Sequence, residues 1–210
     1  MTTISNKNEK MAFIGISLSS MTTAESAAAI LDKDLKIITL DKLFSIQDVE
    51  FFLRNLPGKR QSVVTVSIPE NETMIGSKWK YNSRTYQPVN LNSPIKNTDN
   101  WAERFSTRGC EIITELKENG LDIYRFDLDN VKKQMAYCEA YKNRTPTDCK
   151  AIQNTLKIKY NMRELPTNML PVAQLEAILG AILSHTIATG EEDLDYRKLY
   201  DFNDVEVLGF

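Results

Sequence analysis

Residues 12–18, Ala-Phe-Ile-Gly-Ile-Ser-Leu, decide how the rest of the chain is read. The run carries no charge and is dominated by strand-favouring residues, so it reads as a strand covered on both faces of a sheet. Its first polar side chain is Ser17, and Ser19 and Ser20 come directly after. In an open α/β sheet, chemistry gathers at the carboxyl ends of the strands, and that directs attention to Ser17.

Working outward, Ser26–Leu31 (Ser-Ala-Ala-Ala-Ile-Leu) is rich in alanine, which by propensity alone favours a helix. Its setting decides otherwise. Asp32-Lys33-Asp34 follows, then the apolar run Leu35–Leu40, and two short runs around a polar link read as a hairpin. Residues 12–40 are thus three antiparallel strands. The period then changes. Ile46, Val49, Phe52, Leu53 and Leu56 predict a helix over 46–56, capped by Asp41 or Ser45 and stopped by Pro57-Gly58. Ser62–Ile68 is a second buried strand, reached by a helical crossover and so parallel to its neighbour.

Further helices are expected over about 100–119, 129–141, 145–160 and 170–188. Asn100 with Glu103 has capping-box spacing, Asn119-Gly120 is a stop, and Thr145-Pro146 is a start. A strand at 122–126 separates the first two helices, and 205–208 reads as a last, edge strand. Residues 1–10 read as a flexible tail and 11–210 as one domain. Within it, 69–100 is an irregular excursion of a length that is usually functional. Three antiparallel strands, helix, strand, helix, strand and then helices is the element order of the ribonuclease-H-like fold. This is an α/β architecture with a mixed five-stranded sheet and helices on both faces.

Composition sets bounds on function. With 210 residues and 42% hydrophobic content the chain can bury one substantial core. A formal net charge of −2 gives no global electrostatic case for nucleic acid, although a local basic patch remains open. Cys110, Cys138 and Cys149 are odd in number and form no C-x-x-C pair, so neither a disulfide framework nor a zinc site is suggested. The apolar run in 170–188 contains Gln174, Glu176, Ser184 and His185, which argues against a membrane span. A cytoplasmic protein without membrane attachment is the expectation.

Four short motifs occur in order along 11–210: Ile14-Gly15-Ile16-Ser17, Val64-Thr65-Val66-Ser67-Ile68-Pro69, Arg108-Gly109-Cys110-Glu111 and Leu175-Glu176-Ala177. In these the chain resembles the DUF429-type family of uncharacterised bacterial and archaeal proteins, predicted nucleases of ribonuclease-H-like fold. The resemblance implies aspartate after the first strand and after the interior strand, where this chain has Ser17 and Ser67. The third acidic position is kept as Glu176. Hydrolysis of the ribonuclease-H type relies on carboxylates that gather divalent ions, magnesium or manganese. A hydroxyl supplies no negative charge to hold such an ion.

The candidate catalytic set is therefore Ser17, Ser67, Glu70 and Glu176, with Glu70, Glu72 and Glu176 as candidate metal ligands. Glu70 would swing back to replace a missing strand-end acid. The plainer reading makes Glu70 and Glu72 exposed loop carboxylates, and Gln174 and Glu176 the wet side of their helix. The chain's one histidine, His185, lies nine residues beyond Glu176, about half a turn round the helix and ~13 Å along it, so it reads as a helix-end residue. No G-x-S-x-G elbow is present, which argues against serine–histidine catalysis.

Lys78, Trp79, Lys80, Tyr81, Arg84 and Tyr86 interleave charge with rings, the composition that stacks single-stranded bases and neutralises phosphate. Arg104 and Arg108 add charge one helical turn apart. A lid anchored by its aromatics, or a protein-binding surface, explains the same pattern. Two functions follow: a metal-dependent nuclease with a weakened or lost site, or a non-catalytic binding or scaffolding protein that uses 69–100 as its contact surface.

Overall fold

The computed structural model describes residues 12–18, 26–44, 46–56, 62–67, 101–136, 146–190, 196–202 and 204–209. These form seven strands: β1 (Ala12–Ser17), β2 (Ser26–Leu31), β3 (Ile37–Leu43), β4 (Ser62–Ser67), β5 (Asp122–Phe126), β6 (Arg197–Phe202) and β7 (Val205–Gly209). Five helices accompany them: α1 (Ile46–Arg54), α2 (Trp101–Glu118), α3 (Leu128–Ala136), α4 (Pro146–Lys159) and α5 (Val172–Thr189). The strands make one mixed sheet in the order β3-β2-β1-β4-β5-β7-β6. β1, β4, β5 and β7 run parallel, while β2, β3 and β6 each run antiparallel to the neighbours they pair with.

The three opening strands pair as the hairpin pattern predicts. The turn between β2 and β3 forms because the Asp32 carboxylate accepts the Asp34 and Lys36 amides at 2.8 and 2.9 Å. Leu35 takes a positive φ of 58° there, so β3 begins at Ile37 and ends at Leu43, later than the expected 35–40. Asp41 is consequently a strand residue and caps nothing. The first turn of α1 is held by Asp48, whose carboxylate accepts the Phe44 amide at 3.0 Å. The Asn119-Gly120 stop is realised, with Gly120 at φ 82° and its amide donating to the Lys117 carbonyl.

The carboxyl-terminal edge differs from expectation. The sheet has seven strands rather than five, because β6 and β7 form a hairpin that docks on β5. β7 is interior, and β6 is the edge.

Period-two alternation sends Ile14, Ile16, Leu18, Val64 and Val66 into a core beneath α1 and α2. Phe13, Ala27, Ala29 and Leu31 point the other way, into a core built on α5. α5 lies directly on β1, β2 and β4, and α3 and α4 pack against it in turn. Enclosed in this way it is buried from Ala173 to Thr186, which explains an apolar surface all round. By length and composition alone α5 would suffice to cross a bilayer, yet most of it is buried in this core.

The close seating of α5 depends on Gly15. A β-carbon there would lie 2.0 Å from the Ala177 carbonyl oxygen and 2.1 Å from the Ala181 amide nitrogen. Cross-links reinforce the contact. Thr65 Oγ1 donates to the Gly180 carbonyl and Ser184 Oγ to the Ile14 carbonyl, both at 2.7 Å.

Candidate functional site

β1 and β4 are parallel and in register, with Ser17 opposite Ser67 at their carboxyl ends. The ladder continues one step further, the Leu18 amide donating to the Ser67 carbonyl at 3.0 Å. Strand alternation puts both serines on the face that carries α5: Phe13 of β1 packs in the α5 core, and Thr65 of β4 bonds to Gly180. Both hydroxyls are buried.

Glu176, in the second turn of α5, comes to this point. Ser17 Oγ donates to its Oε2 at 2.7 Å, joining residues 159 apart in sequence. Its other oxygen, Oε1, meets the Lys132 Nζ at 2.5 Å. The Glu176 side chain is 0% exposed and that of Lys132 3%, so this is an ion pair out of reach of water. A carboxylate in such a place needs a partner on each oxygen, and these two charge-assisted bonds supply them. The reading of Gln174 and Glu176 as a wet helix side is overturned: both are buried, since α5 lies on the sheet and α3 and α4 pack against it.

Lys132 is the residue that sequence reasoning missed. It sits on α3 beside Val131, which with Met135 forms the apolar face of that helix. α3 is launched by Asp127, the residue after β5, whose Oδ1 accepts the Asn130 amide at 2.8 Å as an N-cap. Tyr200 of β6 donates to the other Asp127 oxygen at 3.3 Å. The acid at the end of the third parallel strand is thus spent on starting the helix that carries Lys132. The sole sequence signal for such a cation was the apolar surround of Glu176, which demands a partner without naming it.

Glu70, Glu72, Lys78, Trp79, Lys80, Tyr81, Arg84 and Tyr86 lie outside the described residues. Arg104 and Arg108 lie in α2, with side chains outside the description. His185 lies near the end of α5 as expected but is buried. Its Nε2 is 3.2 Å from the Lys33 carbonyl, and its ring meets Phe13 edge-on at 4.6 Å, which pins the β2–β3 turn to the helix.

Magnesium and manganese favour several oxygen donors, carboxylates foremost. Two neutral hydroxyls and one carboxylate already shared with an ammonium do not make such a set. Among the described residues no group of three or more Asp, Glu, His or Cys is placed to hold a metal. A concavity of about 250 Å³ is lined by Lys117 of α2, Tyr124 of β5 and Glu206 of β7 among others, and Ser17 is not among its lining residues. Compared with models of known protein families the chain matches none, and a search of curated proteins likewise finds no match.

Proposed function

We propose that the chain is a divergent ribonuclease-H-like domain that binds nucleic acid without cutting it. The strand order β3-β2-β1-β4-β5, with β2 antiparallel and the next strands parallel, supports the fold assignment. It is the order of that fold, extended here by one hairpin. The observation that carries the functional half is the in-register pair Ser17 and Ser67 at the strand ends, with Glu176 enclosed against Ser17 and Lys132. Strand ends that carry hydroxyls in place of carboxylates favour retention of the architecture without its hydrolytic chemistry. The segment 69–100 follows Ser67 in the chain, and its Lys78, Trp79, Lys80, Tyr81 and Arg84 have the composition for single-stranded nucleic acid.

The test pairs a binding assay with a cleavage assay. Fluorescence anisotropy with labelled single-stranded oligonucleotides should show binding that weakens with salt. Trp79→Ala should weaken it by about 1–3 kcal/mol, the value of one base-stacking contact. Incubation with magnesium or manganese should leave the oligonucleotide intact. Manganese-dependent cleavage that Glu176→Gln abolishes would reinstate the nuclease reading, with Glu70 and Glu72 as ligands. Absence of oligonucleotide binding would leave a protein partner as the occupant of 69–100.

A further inference from the structure

We infer that the Lys132 ammonium stands in the place of a divalent cation, so that the strand-end site is a centre with its positive charge tethered to the protein. The inference rests on the ribonuclease-H-like reading above and adds to it the identity of the charge that completes the site. Nζ lies 2.5 Å from Glu176 Oε1, on the one carboxylate that joins the ends of β1 and α5. A magnesium or manganese ion on that oxygen would sit at roughly 2.1 Å and, even on its second lone pair, only about 4 Å from the ammonium, which would repel it. The ammonium therefore opposes a divalent ion at this carboxylate.

The surrounding substitutions agree in sign. Among the described residues that the contacts join at the ends of β1 and β4, Ser17 and Ser67 are neutral and Glu176 carries the negative charge, which the ammonium answers. Asp127, the acid at the end of the next parallel strand, is engaged as the cap of α3 and by Tyr200. α3 in turn delivers Lys132. Charge count, geometry and the use of Asp127 all fit an internal cation.

The experiment compares three full-length proteins by manganese calorimetry and thermal melting: wild type, Ser17→Asp/Ser67→Asp, and the same pair with Lys132→Met. Wild type should show neither manganese heat nor a shift in melting temperature. The triple variant should bind manganese saturably and melt at a temperature that rises with manganese concentration. The double variant, which keeps the ammonium, should bind more weakly than the triple. If three clustered acids prevent the triple variant from folding alone, manganese-dependent recovery of its circular dichroism serves as the binding readout.

The inference is overturned by a triple variant with no manganese response in either readout, or by a double variant that binds as tightly as the triple. Manganese binding by wild type that Glu176→Gln removes overturns both this inference and the functional reading. Loss of oligonucleotide binding enters none of these comparisons and bears on the functional reading alone.

Discussion

Glu176 and Lys132 form a pair whose worth depends on both members being present. Removing one member of a buried ion pair typically costs about 3–5 kcal/mol, whereas replacing both with apolar groups of similar volume is often neutral or better. Lys132→Met alone and Glu176→Leu alone should each destabilise the protein by about that amount in urea denaturation. The double variant should lose much less than the sum, with a remaining penalty from Ser17, whose hydroxyl loses its acceptor at 2.7 Å. Additive losses would mean that the two side chains are held by other partners and not by each other. The serine also explains why the pair has a fixed geometry: Ser17 takes one carboxylate oxygen, which leaves the other for the ammonium.

At the scale of elements, the site is positioned by the contact between β1 and α5. Ala177, Gly180, Ala181 and Ser184 form a small-residue face, and Gly15 removes the last obstacle on the strand. Gly15→Ala would place a carbon about 2 Å from backbone atoms of α5, and backbone on both sides has no rotamer by which to yield. We expect a loss exceeding about 4 kcal/mol, in the range of severe core disruption. Gly120→Ala serves as the contrast. Its φ of 82° is costly for alanine, but nothing lies within 4 Å of the added carbon, so the loss should be about 1–2 kcal/mol. Soluble yield and melting temperature of the two variants check the difference. Equal effects would show that the helix can shift away from β1, and the alignment of Glu176 with Ser17 would then need another cause.

At the scale of the whole molecule, the β6–β7 hairpin completes the sheet and encloses the seam beside β5. Tyr124 of β5 reports on that seam. Partial burial, followed by its hydrogen bond to Asp122, pushes its phenol up from 10.0 to about 12. A raised folded-state value means that the stabilisation is fully present below pH 10 and is lost as the pH climbs from about 10 to about 12. Wild type should therefore lose stability through that window more steeply than Tyr124→Phe, measured as urea midpoints against pH. Matching profiles would show that the phenol is equally solvated folded and unfolded.

Hydrophobic period and turn chemistry made most of the fold legible. β4 and β5 and the cores of all five helices stand within a few residues of expectation, because each is set by local apolar spacing and by stops such as Gly120. β6 was not legible. Arg197-Lys-Leu-Tyr-Asp-Phe has no apolar stripe, and it is a strand because β7 offers it a ladder, with Lys198 also reaching Asp201 and Glu206.

The sequence by itself determined that two strand ends carry hydroxyls and that Glu176 sits in apolar company, since residue identity and local periodicity are written along the chain. Only the tertiary structure decided which charge answers that carboxylate. Lys132 is 44 residues away, and it becomes a buried partner because α3 packs over α5. Contacts at such separation depend on how whole elements stack, and local pattern carries no record of that.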